Sequence, residues 1–184
     1  EILEGGLSPD ATVMSWRGTS GGISAALQKH DVIMTPGSGG LYLDHYQGDY
    51  KIEPVTIPSA PAYLSRTYNY EPVPDTIKSL GLEKHILGVQ CNNWSEYMYT
   101  NAKMEYQMYP RSLALAEIAW SPAKKKNFTD FARRVDANSV RLDERHVRYH
   151  IPLPEQPYGS CDKVVITKDT VVTFQTSRPM KMVY

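Results

Sequence analysis

Five side chains in this 184-residue sequence, Trp16, Tyr42, Asp44, Trp94 and Glu96, have types and placements that suit one kind of chemistry. Each follows a short apolar, β-branched run: Trp16 closes residues 11–16, Tyr42 and Asp44 lie beyond 31–35, and Trp94 and Glu96 lie beyond 86–90. An indole or phenol covers the apolar C–H face of a pyranose, and a carboxylate accepts hydrogen bonds from ring hydroxyls in a pocket shielded from water. Together they make a neutral-sugar site. Read locally, Asp44 and Glu96 also suit the paired carboxylates of a glycosidase, one a general acid and the other a base or nucleophile, and only their separation would decide between the roles. The structural alternatives are core packing for the two indoles and loop-surface charges or helix caps for the two carboxylates.

Other chemistry-bearing residues point nowhere else. The histidines at 30, 45, 85, 146 and 150 show no metal-ligand spacing, and His45 is placed best to line the same site. Cys91 and Cys161 are far apart and outside any zinc pattern, so neither a metal nor another cofactor is expected. Trp120 falls in an apolar helical stripe and is expected in the core.

The elements that must position these residues alternate. Residues 11–16 read as a buried strand, 22–30 as a helix with Ile23, Ala26 and Leu27 on one face, and 31–35 as a second buried strand stopped by Pro36. Residues 37–75 are rich in Gly, Pro and Tyr without a sustained period, so they read as an elaborate loop with one short helix; a loop of that length is usually functional. A short helix over 77–82, a third strand over 86–90, a helix from Pro110 to Trp120 and a helical pattern over 127–140 follow. The alternation at 146–151 predicts a fourth strand. Beyond a Pro-rich linker at 152–157, residues 163–175 and a run starting near Met180 alternate in the manner of antiparallel strands with one wet face. The expected fold class is α/β: half of an eight-stranded (β/α)8 barrel over 1–154, then the start of a β-sandwich over 155–184. An open doubly wound sheet fits the alternation too, but no Gly-x-Gly-x-x-Gly sits at a strand-helix turn.

Composition bounds the partners. Twenty Lys+Arg balance twenty Asp+Glu, so no long-range field gathers nucleic acid or an anionic membrane, and no apolar run is long enough to span one. A hydrophobic content of 41% supports a core, and thirteen Tyr against three Phe supply flat apolar faces with a hydroxyl tip, which suit sugars and polar interfaces alike.

Several segments carry a family resemblance. Ser15-Trp16-Arg17-Gly18, His30-Asp31-Val32-Ile33-Met34-Thr35-Pro36, Leu41-Tyr42-Leu43-Asp44-His45-Tyr46-Gln47, residues 84–96 ending Asn93-Trp94-Ser95-Glu96, and Tyr109-Pro110-Arg111 through Trp120 resemble the β-N-acetylhexosaminidases of glycoside hydrolase family 20. They occur in the family's order. The resemblance implies a (β/α)8 barrel, about strands 5 to 8 being present, that removes terminal N-acetylglucosamine or N-acetylgalactosamine from glycans by substrate-assisted, retaining catalysis. It implies that Tyr42 hydrogen-bonds the acetamido carbonyl, that Trp16 and Trp94 wall the pocket, and that Asp44 and Glu96 bind ring hydroxyls at C4 and C6. A secreted or periplasmic parent protein is implied as well.

The departure from the family is specific. Its catalytic Asp-Glu pair lies in a His-x-Gly-Gly-Asp-Glu element at the end of the fourth strand, and no such element occurs in this sequence. The expectation is that the acid lies upstream of Glu1, that the chain is inactive alone, and that the half-barrel self-associates through its exposed edges. The alternative is a noncatalytic carbohydrate-binding or interaction module.

Overall fold

The computed structural model describes residues 3–151 together with residues 168, 169 and 171. The chain is α/β: β1 (Val13–Ser15), α1 (Thr19–Leu27), β2 (Val32–Met34), α2 (Leu64–Asn69), α3 (Asp75–Ser79), β3 (Ile86–Val89), α4 (Asn101–Met108), α5 (Arg111–Trp120) and α6 (Phe128–Glu144). The strands form one parallel sheet in the order β1-β2-β3, with Val13 opposite Val32 and Val32 opposite Ile86. The expected boundary near residue 154 and the antiparallel tail lie outside the described residues.

Burial on one face of β2 explains the first core. Val32 and Met34 are fully buried and pack with Ala25, Ala26 and Ile77, which puts α1 and α3 on the same side of the sheet. The small residues of α1 let it lie close. A Cβ placed on Gly22 would sit 2.6 Å from Met34 Sδ and 3.1 Å from Ser15 Cβ. Ser15 Oγ accepts from the Gly22 N–H at 2.7 Å and donates to the Gly18 carbonyl at 2.5 Å, so the last residue of β1 is tied to both ends of the first turn of the helix that follows. That bond sets how sharply the chain turns after Trp16.

The opposite face of the sheet is left open. Met14 is 43% and Leu87 57% exposed, on strands whose other face is packed. Side chains of this kind are normally covered in a barrel interior.

A second core joins α2, α5 and α6 through Tyr68, Ala114 and Phe131. The Tyr68 ring stacks on Phe131 at 4.6 Å, and its hydroxyl accepts from the Asn127 N–H at 2.6 Å. Asn127 in turn caps α6 by accepting from the Asp130 N–H, and Arg134 of α6 reaches Glu117 of α5 with two bonds at 3.0 and 2.5 Å. The basic run before α6 is exposed at Lys124 and Lys125, while Lys126 donates to the Tyr70 carbonyl.

Two expectations are corrected. Residues 147–151 form no strand: His146 takes a left-handed conformation (φ 56°), the Arg148 N–H donates to the Glu105 carboxylate and the His150 N–H to the Tyr109 carbonyl. With those donors spent on α4 and its end, no sheet ladder is left for them to join. Trp120 is not core but 89% exposed. The buried residues of α5 are Arg111, Ala114 and Ile118, and Trp120, two residues past Ile118, points about 200° away from that stripe. A helix that had no sequence-based expectation, α4, is capped by Thr100 accepting from the Lys103 N–H.

The close approach of α1 generates a test. Gly22→Ala gains about 1 kcal/mol of helix propensity, but the new methyl drives into Met34 and Ser15, and overpacking of this kind costs about 1–3 kcal/mol. The melting temperature is expected to fall by a few degrees, whereas an exposed Gly→Ala change in a helix raises it; calorimetry or circular dichroism reads the sign.

Candidate active site

The C-terminal ends of the three strands lie side by side, and each delivers part of the site. Trp16 is the first residue after β1, its indole half-exposed with the Arg17 guanidinium 4.8 Å above the ring. Trp94, also half-exposed, and Glu96, exposed, follow β3. The core-packing reading of both indoles is thereby excluded.

Tyr42 and Asp44 reach the same rim by a built route. Past β2, the chain returns to β3 as an isolated parallel bridge between Tyr42 and Asn92, in which Asn92 donates to Leu41 O at 2.9 Å and Leu43 donates to Asn92 O at 2.7 Å. Its other neighbour is the end of β1: the Tyr42 hydroxyl donates to the Trp16 carbonyl at 3.0 Å. The ring lies flat on Gly37, where a Cβ would be 2.9 Å from it. His45 meets Tyr42 edge-on at 5.5 Å, and its imidazole is pushed down by burial and by the charges of Arg111 and Arg66, so it stands there neutral.

The two carboxylates are unlike. Asp44 is buried, and its Oδ1 has no hydrogen-bond partner. Burial pushes its carboxyl up, the neighbouring Glu96 charge adds to this, and its own backbone N–H and Arg111 pull against them; the net shift is upward. Glu96 is thus close enough to be felt, yet it lies in solvent. Tyr42 is pushed up as well, by burial and then by Asp44. A buried carboxylate with an unused oxygen, on the segment that reaches the same strand ends as Trp16 and Trp94, carries acceptor capacity that no donor among the described residues fills.

Side chains without a local sequence signal hold this arrangement. Arg111, fully buried at the start of α5, donates to Ala62 O at 3.2 Å, to Gln107 O at 2.8 Å and to Leu43 O. Gln107 reaches Asp44 O at 3.5 Å, and Thr56 Oγ1 donates to the same carbonyl. Arg111 stood inside a recognised stretch, but an arginine in a first helical turn reads as surface, and nothing local marks Gln107 or Thr56. Asn93 Oδ1, beside Trp94, is also buried without a partner. Cys91 is no nucleophile: burial pushes its thiol up to about 12. Among the described residues, no three His, Cys, Asp or Glu side chains group to hold a metal ion, and no helix is long and apolar enough to cross a membrane.

Known proteins resemble this chain in sequence and in fold. The chain is 60% identical over its whole length to a beta-hexosaminidase of Porphyromonas gingivalis, of which it spans 23%, and 36% identical over 60% of its length to a beta-hexosaminidase of Vibrio furnissii, of which it spans 18%. Among solved structures, it is similar to an exo beta-N-acetylglucosaminidase of Vibrio harveyi in complex with N-acetylglucosamine, with a TM-score of 0.72 and 31% identity over 78% of this chain and 22% of that one. A mutant beta-hexosaminidase of Streptomyces plicatus in complex with its product shares the fold, with a TM-score of 0.69 at 20% identity over 81% of this chain and 30% of that one. The chain spans about a quarter of the length of these relatives. Residues 1–123 match the catalytic domain of glycosyl hydrolase family 20, and it is to this family that the chain belongs.

Proposed function

We propose that the chain forms the sugar-binding side of an exo-β-N-acetylhexosaminidase barrel, contributing consecutive strands from its second half. The observation that carries this reading is Asp44: a buried carboxylate with an unpartnered oxygen, set among Trp16, Tyr42 and Trp94 at the C-terminal ends of parallel strands. Catalytic groups of a (β/α)8 barrel gather at that end. The open face at Met14 and Leu87 supports a sheet that other strands complete.

In this reading, the acetamido oxygen of a terminal N-acetylhexosamine attacks its own anomeric carbon. The glycosidic C–O bond breaks as a glutamic acid outside this chain protonates the leaving oxygen, and water then opens the cyclic intermediate with retention. This chain's residues bind and orient. Trp16 and Trp94 wall the acetamido methyl and the sugar face, and Asp44 and Glu96 accept from ring hydroxyls, at C4 and C6. Tyr42 has a single O–H, which donates to the Trp16 carbonyl in the free site; to hold the acetamido carbonyl it turns away from Trp16, so ligand binding and the β1 terminus are coupled through one proton. Residence outside the cytoplasm belongs to the same proposal, as does self-association of the chain when it stands alone.

Two assays address the division of labour. The chain alone is expected to release no nitrophenol from a nitrophenyl N-acetylglucosaminide and to form dye-binding oligomers in light scattering, while a full-length hexosaminidase carrying it is active. In that enzyme, Glu96→Gln should mainly raise KM; hydrolysis by the chain alone that Glu96→Gln abolished would instead make Glu96 the acid. A chain that binds N-acetylglucosamine, in a full-length protein that never cleaves, would favour the binding module.

Asp44 allows a test with opposite signs. Its folded-state carboxyl is raised above its unfolded value of about 3.9, so the ionised form opposes folding. That penalty is absent below the unfolded pKa, grows as pH rises through the window up to the folded one, and is complete above it. Asp44→Asn is therefore expected to raise the melting temperature at pH 7, with the gain vanishing toward pH 4, and to raise KM by about tenfold or more through loss of a charged acceptor. Calorimetry against pH and steady-state kinetics read the two effects; a variant that is both less stable and unchanged in KM contradicts the assignment.

A further inference from the structure

We propose that His150, beyond the 1–123 span that matches the catalytic domain, is a positioning residue for the sugar site, latching through Glu53 the loop that carries Asp44. The inference rests on the sugar-binding reading of Asp44 given above.

Glu53 is the pivot. Its side chain is only 6% exposed, and one carboxylate oxygen accepts from the Gln47 N–H at 2.9 Å. The other lies 3.5 Å from His150 Nε2, an ion-pair distance without the alignment of a directed hydrogen bond. It also lies against the backbone of residue 48, where a Cβ would be 2.8 Å away. A carboxylate so enclosed needs a partner for each oxygen, and for Oε1 that partner is His150.

His150 is itself held firmly. Its N–H donates to Tyr109 O at 3.1 Å, its ring meets Tyr106 edge-on at 5.3 Å, and two residues earlier the Arg148 N–H is bound to Glu105. The segment at 148–150 is therefore fixed to α4, and α4 grips the same loop: Gln47 Nε2 donates to Tyr106 O at 2.5 Å and Lys103 Nζ to Pro54 O at 3.0 Å. From this anchored stretch, two contacts lead to the site. Thr56 Oγ1 donates to the Asp44 carbonyl, and the Thr56 N–H meets the Tyr46 hydroxyl at 3.4 Å. Residues 44–56 thus form a closed excursion, pinned at Asp44 at one end and at Gln47 and Glu53 inside. Removing His150 leaves Oε1 of Glu53 uncompensated, and the carboxylate gains most by swinging to water and pulling Gln47 with it.

The experiment uses a full-length hexosaminidase carrying this chain. His150→Ala is expected to raise both KM for a nitrophenyl N-acetylglucosaminide and the inhibition constant of N-acetylglucosamine about fivefold, with kcat within about twofold, as for lost uniform binding. His150→Gln, which keeps a donor within reach, should restore most of the loss. Glu53→Gln on the His150→Ala background should add little, because the contact between the two side chains is already broken. The proposal is overturned if His150→Ala leaves both constants within twofold of the parent, or if kcat and melting temperature fall together and His150→Gln does not recover them. Should His150→Ala not fold, His150→Gln and Glu53→Gln decide on the same constants. A parent enzyme that neither binds nor cleaves the sugar refutes the underlying reading, whereas a silent His150→Ala in an active enzyme refutes the latch alone.

Discussion

A guanidinium with no solvent exposure holds the site side of this structure together. Among the described residues Arg111 has no carboxylate bonded to it; its two terminal nitrogens donate to the carbonyls of Leu43, Ala62 and Gln107, two of them in the long segment between β2 and α3 and one at the end of α4. Burial lowers it to about 10, so it remains a cation at neutral pH, and hydrogen bonds from a charged donor are worth about 1.5–3 kcal/mol each. Its field reaches Asp44, Glu53, His45 and Cys91: it pulls the carboxyls and the thiol downward against the burial that leaves Asp44 and Cys91 raised, and adds to the burial that lowers His45. Without it, three carbonyls far apart in sequence would be buried with nothing to donate to them.

This makes sense of a segment that has no periodicity. Residues 37–63 lack regular structure beyond one short turn of 3-10 helix, yet they are not loose, because side chains supply the bonds that a helix or ladder would. Thr67 Oγ1 donates to Gly40 O, Arg66 to Ser38 O, Gln47 to Tyr106 O and Thr56 to Asp44 O. With Arg111 of α5 and Lys103 and Gln107 of α4 donating into the same segment, the loop's shape is set by the helices that flank it as well as by its own side chains.

The same logic separates Asp44 from Glu96, whose charge it feels. Asp44, enclosed and raised, costs stability in its ionised form, whereas Glu96 lies in solvent. Glu53, equally enclosed, is pushed up by burial but brought below the ordinary range by His150, the Gln47 N–H and Arg111. The two enclosed carboxylates thus differ in the direction of their shift, Asp44 upward and Glu53 downward, because Glu53 has more groups of opposite charge and donors beside it.

Much of this was legible in the residues themselves. Short β-branched runs bounded by glycine and proline located β1, β2 and β3, and the aromatic and acidic residues just after them located the rim, because strand ends and period are local properties. Motif order was enough for the family. What the sequence could not determine was which polar groups are buried together. Alternation at 146–151 looked like a strand, but its donors are taken by Glu105 and Tyr109; Trp120 matched an apolar stripe, but the buried face of α5 runs through Arg111 and Ile118 instead. Arg111, Gln107, Thr56, Glu53 and His150 carry no local signal, since their roles are bonds to residues 40 or more positions away or to a loop without a period. Sequence by itself determined the elements and the chemistry offered at their ends. Only the tertiary structure decided that Asp44 is buried with a free oxygen while Glu96 is not, because burial and pairing are set by what the rest of the chain brings alongside.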